Sequence, residues 1–169
     1  RGHARKERPY RAFSTLHDAD DMAEFCRAKA IEEAIWFGQG HGGQVIMALA
    51  AQRPTLIAGA ILCDAGPIIN VRGLVRLRNN MAYLSKLRGK NAVRDLMRVD
   101  YPSLGDGLLD QIAARTHKTD AKSRLKPRFD MRLAHQLKEL ENDDVLQANW
   151  HLFDALAKVP ILLMRTQHT

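Results

Sequence analysis

The sequence predicts an α/β domain with a parallel sheet and a long helical insertion. Two short apolar runs, at 34–37 and 57–63, flank a stretch of helix-forming residues, which is the pattern of a βαβ unit. A third apolar run at 160–164 follows a long segment that carries only helical patterns. Helices inserted between strands of a parallel sheet predict a cap over the carboxyl ends of those strands, where α/β sheets bind ligands.

The first predicted element is a helix from Ser14 to Ala28, with Asp18 placed for the helix start. Its apolar residues fall on one face: Leu16, Ala19, Met22, Ala23 and Cys26. The first strand follows at 34–37 and ends at Gly38. These elements predict a helix that packs on the sheet through its apolar face.

The second helix is predicted at 44–52, where helix-forming residues run up to Pro54. The strand at 57–63 comes next and is closed by Asp64. A further helix at 148–157 feeds the last strand at 160–164. The predicted organisation is a core part at residues 1–67, a helical cap at 68–148 and a return to the core at 149–169.

Composition excludes several classes of protein. The chain has 169 residues, 46% hydrophobic and 27% charged, as expected for one globular domain. No apolar run reaches the roughly 18 residues of a membrane span, so membrane insertion is not expected. The two cysteines, Cys26 and Cys63, lack the paired spacing of a zinc site. They are expected to be reduced thiols, which favours a cytoplasmic location.

The net charge of +7 is concentrated in the middle of the chain. Residues 70–138 carry 16 basic and 6 acidic residues, at helical spacing with apolar ones. No aromatic-rich or helix-turn-helix pattern accompanies this charge, so solvated helix faces are expected rather than a nucleic-acid interface. No metal site is expected either.

A glycine-rich turn at 38–43 is the strongest candidate site. Gly38, Gly40 and Gly43 match the G-x-G-x-x-G pattern of dinucleotide-binding folds, with Asp64 at a suitable distance for a ribose. Gly38 and Gly42 also match the G-x-S-x-G nucleophile elbow, but with glycine in place of the serine.

The wider sequence resembles α/β-hydrolases of the esterase, lactonase and haloperoxidase-like group over nearly all its length. Four segments carry the resemblance in the family's order: the arginine loop at 1–9, Asp20-Asp21, the turn at 36–43 and the strand end at 62–67. The resemblance implies a partial α/β-hydrolase fold with an inserted cap. It also implies a small ester or lactone ligand and no cofactor.

The same resemblance assigns the site residues. Gly40 takes the nucleophile position, and the backbone N–H of His41 is the expected oxyanion donor. Gln39, His3 and Asp64 are the expected pocket residues. The chain begins with Arg rather than Met and is expected to be a segment of a longer protein, with the family's acid and histidine expected beyond Thr169.

The chain as given is therefore expected to be inactive, because Gly40 has no hydroxyl. Two alternatives stay open at this point. One is a non-catalytic relative that binds a small molecule in the same pocket. The other is a dinucleotide-binding module that uses Gly38, Gly40 and Gly43.

Overall fold

The structure is a computed structural model that describes residues 14–84, 86–87, 91–119, 125–130 and 132–166. The chain divides into two compact units: a sheet unit at 11–70 and 145–169, and a helical unit whose described part lies within 71–144. The predicted role of residues 68–148 as a cap stays a prediction.

The described helices and strands, in chain order, are α1 (Thr15–Ala28), β1 (Ala34–Gln39), α2 (His41–Gln52), a 3-10 helix (Pro54–Leu56), β2 (Ile57–Cys63), α3 (Val71–Leu84), α4 (Ala92–Asp100), α5 (Asp106–Thr116), β3 (His117–Thr119), β4 (Leu125–Pro127), α6 (Arg132–His135), α7 (Trp150–Asp154) and β5 (Ile161–Met164).

The sheet unit contains a three-stranded parallel sheet in the order β1-β2-β5. This confirms the predicted α/β class and the predicted parallel strands. The register places Gln39 level with Cys63, and Cys63 level with Met164. All three strands therefore end at the same edge of the sheet, which is the edge where the glycine-rich turn begins.

Helix α1 begins where its N-terminal amides find a side-chain cap. Ser14, the first residue of the predicted helix, is the N-cap, and its hydroxyl accepts from the N–H of His17 at 3.2 Å. Asp18 lies in the first turn, where a carboxylate is favourable beside the helix dipole. Ala19 and Cys26 bury the inner face of the helix.

Helix α2 is the centre of the core, because most of its residues are apolar and buried. It begins at His41, three positions earlier than expected, and ends where Pro54 follows. Met47 and Leu49 are fully buried, and Leu62 of β2 and Leu156 complete the same cluster. The predicted strand–turn–helix–strand order is therefore confirmed.

The other face of the sheet is exposed within the described residues. Side chains alternate between the two faces of a strand, so Ile35 and Phe37 point away from the core and are 70% and 65% exposed. Leu162 of β5 is 55% exposed. This leaves an uncovered apolar surface, whereas parallel sheets usually have both faces covered.

The helical unit departs from its prediction at one point. Helices α3, α4 and α5 follow the expected helical patterns, but β3 and β4 form an antiparallel pair that was not expected. Strands of three residues are too short to show an alternating pattern. In the sheet unit, the expected helix at 148–157 is shorter than predicted, since α7 covers only Trp150–Asp154.

Arginine side chains hold the helical unit together at two places. Arg78 of α3 donates to the carbonyls of Leu137, Lys138 and Leu140 at 2.7–3.2 Å. These bonds give partners to carbonyl groups at the end of a turn. Arg98 of α4 pairs with Asp106 of α5.

No helix in the described part of the chain has the length and apolarity to cross a membrane.

Candidate functional site

The candidate site lies at the turn between β1 and α2. Gly40 has φ 51° and ψ −116°, a region that residues with a Cβ enter only under strain. Its N–H donates to the carbonyl of Cys63 at 3.0 Å, and its carbonyl accepts from the N–H of Gly43 at 3.0 Å. The chain therefore passes from strand to helix at a single residue.

The neighbouring glycines are required by close packing. A Cβ on Gly38 would lie 2.6 Å from the backbone carbon of Gly42, and a Cβ on Gly43 would clash with the side chain of Ala65. Gly42 itself has no such neighbour among the described residues. Packing alone thus accounts for Gly38 and Gly43, and a bound pyrophosphate is not needed to explain them.

The space beside Gly40 is open. A Cβ built at this position meets no described atom within 4 Å outside its chain neighbours Gln39 and His41. The position that a nucleophilic side chain would occupy is therefore sterically free, although its backbone conformation penalises every L-residue.

The side chain of His41 extends from α2 to α1. Its Nε2 lies 3.0 Å from Oδ2 of Asp18 on α1. The Asp18 side chain is 18% exposed, and the His41 side chain is 62% exposed. This contact joins the first turns of α1 and α2, which both lie at the carboxyl edge of the sheet.

Asp64 is held at the end of β2. Its φ is 46°, and its N–H donates to the carbonyl of Met164 at 2.8 Å. Its Oδ1 accepts from both the N–H and the hydroxyl of Thr166, at 2.8 Å and 3.2 Å. The carboxylate therefore braces the end of β5.

The remaining predicted pocket residues divide into two groups. Gln39 is exposed at the last position of β1. His3 lies outside the described residues.

Sequence reasoning did not identify Gln44, whose buried side chain donates from Nε2 to the carbonyl of Gly66 at 2.5 Å. This bond fixes the loop after Asp64 against α2.

Sequence reasoning also missed Asp18 as a site residue. Asp18 and His41 are 23 positions apart, and no local spacing connects them. Only the packing of α1 against α2 brings the pair together. The described residues contain no group of three or more histidine, cysteine, aspartate or glutamate side chains that could hold a metal ion.

Comparison with solved structures finds α/β hydrolases. An α/β hydrolase from Novosphingobium aromaticivorans is 25% identical, with a TM-score of 0.76, over 93% of this chain and 56% of its own. An esterase from Mycobacterium tuberculosis is 20% identical, with a TM-score of 0.61, over 90% of this chain and 49% of its own.

A third similar structure is the N-acyl homoserine lactonase AidH, complexed with N-hexanoyl homoserine. It is 20% identical, with a TM-score of 0.58, over 98% of this chain and 57% of its own. The chain thus spans about half the length of these structures. No protein with curated function matches the sequence significantly.

A family model for the alpha/beta hydrolase fold matches residues 1–139, which is most of the chain. The parallel sheet, the strand-to-helix turn at Gly40 and the structural neighbours agree with that match. The chain belongs to the α/β-hydrolase fold family.

Proposed function

We propose that this chain binds a carboxylic ester or lactone at the Gly40 turn and forms no acyl intermediate at that residue. The observation that carries the proposal is the conformation of Gly40. The turn keeps φ 51° and ψ −116° although position 40 has no side chain. Covalent acyl transfer needs a nucleophilic side chain there, and glycine supplies none.

Recognition of the ligand carbonyl rests on the start of α2. The first N–H groups of a helix have no acceptor within the helix, and the helix dipole places partial positive charge there. His41 is the first residue of α2. Its N–H is the proposed donor to the ligand's carbonyl oxygen, as in an oxyanion hole.

Two of the similar structures support the ligand class. One neighbour is an esterase, and another is a lactonase complexed with an acyl homoserine. The proposed partner of this chain is therefore a small ester or lactone, with Gln39, Asp64 and His3 as proposed pocket residues. A cytoplasmic location stays a prediction, and no cofactor is proposed.

The binding test uses an alkyl trifluoromethyl ketone, which water converts to a gem-diol that resembles a tetrahedral intermediate. We expect it to shift the amide NMR signals of residues 40–44. A fluorophosphonate probe should leave residue 40 unlabelled. Absence of any shift near the turn, at concentrations up to the solubility of the ketone, would contradict the proposal.

A matched pair of variants isolates the backbone donor. His41→Pro removes the N–H at the first helical position, where proline is tolerated. His41→Ala removes the ring and keeps the N–H. Loss of one hydrogen bond should weaken ketone binding about tenfold in His41→Pro only. Equal affinities of the two variants would show that the His41 amide is not the donor.

A further inference from the structure

We propose that Asp18 and His41 form a general-base dyad that activates water for hydrolysis of the ligand bound at Gly40. The inference rests on the proposed function, because the ligand is the ester or lactone held at the turn. It goes beyond that function, since direct attack by water needs no nucleophilic side chain at position 40.

The place of the pair in the fold is the first argument. His41 directly follows Gly40, so their Cα atoms are about 3.8 Å apart. Asp18 lies in the first turn of α1, and the 3.0 Å contact brings that turn to the start of α2. Both side chains therefore stand at the carboxyl edge of the sheet, where α/β folds place their ligands.

The contact with Asp18 also fixes which nitrogen of the His41 imidazole carries the hydrogen. An ionised carboxylate only accepts hydrogen bonds, so Asp18 selects the tautomer with hydrogen on Nε2. The lone pair is then on Nδ1. Within the described part of the chain, no hydrogen bond engages this nitrogen, and the His41 side chain is 62% exposed. The geometry thus provides an oriented imidazole with its basic nitrogen open to water.

The third argument is the free space beside Gly40. Apart from Gly40 itself and its chain neighbours Gln39 and His41, no described atom lies within 4 Å of the position that a Cβ would take. A water molecule fits where the family pattern would place a side-chain hydroxyl. The missing side chain thus leaves room for the nucleophile that the dyad would activate.

The proposed reaction consumes one ester and one water. The water oxygen bonds to the carbonyl carbon while its proton moves to Nδ1 of His41. The carbonyl electron pair shifts to the oxygen, which the His41 N–H stabilises. The carbon–oxygen bond to the leaving alkoxide then breaks, and the alkoxide takes the proton back from Nδ1. The products are a carboxylic acid and an alcohol, and the dyad is restored.

The test measures hydrolysis of p-nitrophenyl acetate by the full chain and by three variants. His41→Gln removes the base, and Asp18→Asn removes the carboxylate that orients it. His17→Gln is the matched control, because His17 is also an exposed histidine but lies on α1 and bonds to Ser14 instead of Asp18. General-base catalysis typically contributes at least 10²-fold, so His41→Gln should lower the rate roughly 100-fold and His17→Gln should leave it unchanged.

A second measurement separates water activation from direct attack by the imidazole. Proton transfer in the rate-limiting step should slow the reaction in D₂O. A rate equal in H₂O and D₂O, or an acetylated His41 detected by mass spectrometry, would overturn the general-base role. Circular dichroism and unfolding midpoints confirm that each variant is folded when its rate is compared.

The outcomes distinguish this inference from the proposed function. Ketone binding that persists in His41→Gln, with hydrolysis unchanged by that variant, overturns the dyad and leaves the binding function standing. Ketone binding without any hydrolysis by the unmodified chain also overturns the dyad and leaves the binding function standing. Absence of both binding and hydrolysis overturns both proposals. Hydrolysis that falls in His41→Gln and Asp18→Asn, but not in His17→Gln, supports the dyad.

Discussion

The carboxylate of Asp64 accepts two hydrogen bonds from Thr166, one from the N–H at 2.8 Å and one from the hydroxyl at 3.2 Å. Asp64 directly follows β2, and Thr166 lies shortly after β5. The contact therefore ties the ends of two neighbouring parallel strands. Asp64 also has φ 46°, which aspartate and asparagine tolerate better than most residues.

Replacing Asp64 with alanine should destabilise the chain by about 1 kcal/mol, because it removes the acceptor for Thr166 and places a Cβ without a polar group at positive φ. Asp64→Asn keeps a side-chain oxygen and the tolerance of positive φ, so it should cost less. Urea unfolding of the three proteins measures the difference. Equal losses for both variants would show that the bonds to Thr166 contribute little.

The elements around the site could be predicted because their signals are local. The apolar run of β2 and the helix stop at Pro54 each lie within a few residues of the feature they define. The β3–β4 pair could not be predicted, since three residues give no measurable alternation. The family resemblance identified the turn at Gly40, while the backbone angles came only from the structure.

The contact partners of the site residues could not be predicted from the sequence. Asp64 binds Thr166, which is 102 positions away, and no sequence pattern links the two residues. His41 was expected to act through its backbone N–H, and the contact of its side chain with Asp18 depends on how α1 packs against α2. Such contacts are set by tertiary packing and leave no spacing pattern in one sequence.

Nicotinamide dinucleotide should not bind to this chain. Gly38 and Gly43 are accounted for by close packing, and Oδ1 of Asp64 already accepts two hydrogen bonds from Thr166, with which a ribose hydroxyl would have to compete at that atom. Isothermal titration with cofactor up to millimolar concentration should show no saturable heat. Saturable binding that disappears in Asp64→Ala would instead favour the dinucleotide-binding alternative.

The uncovered sheet face should promote association of the chain. Ile35, Phe37 and Leu162 are each more than half exposed on this face within the described part of the chain, and exposed apolar patches favour association. Sedimentation velocity at micromolar concentrations should show oligomers. Phe37→Lys should shift the distribution toward monomer, whereas Val145→Lys, at a site that is 94% exposed in the same unit, should not. A monomer at every concentration would contradict this expectation.

The stability of the chain should fall between pH 7 and pH 5 because of His117. Burial lowers the pKa of its imidazole below the ordinary value, and Nε2 has no partner within the described residues. The unfolded chain takes up a proton near pH 6.5, whereas the folded chain does so only at lower pH. The stabilising contribution is therefore present above about pH 6.5 and is lost as the pH falls through the folded pKa.

His117→Leu removes this titration, so its unfolding free energy should change less between pH 7 and pH 5 than that of the unmodified chain. His135→Leu, at an exposed position of α6, is the control and should keep the full pH dependence. Identical pH dependence in all three proteins would rule out a contribution from His117.

Gly40→Ser tests the conformation of the turn itself. A Cβ at this position meets no described atom outside its chain neighbours, so the cost of serine comes from the backbone at φ 51° and should be roughly 1–3 kcal/mol. Gly42→Ala is the matched control: it lies in α2, has equally open surroundings and no positive φ, and should stabilise the chain by up to about 1 kcal/mol. Urea unfolding compares the two. A serine at position 40 that costs nothing would mean that this turn relaxes in solution and that the strained elbow conformation is not retained.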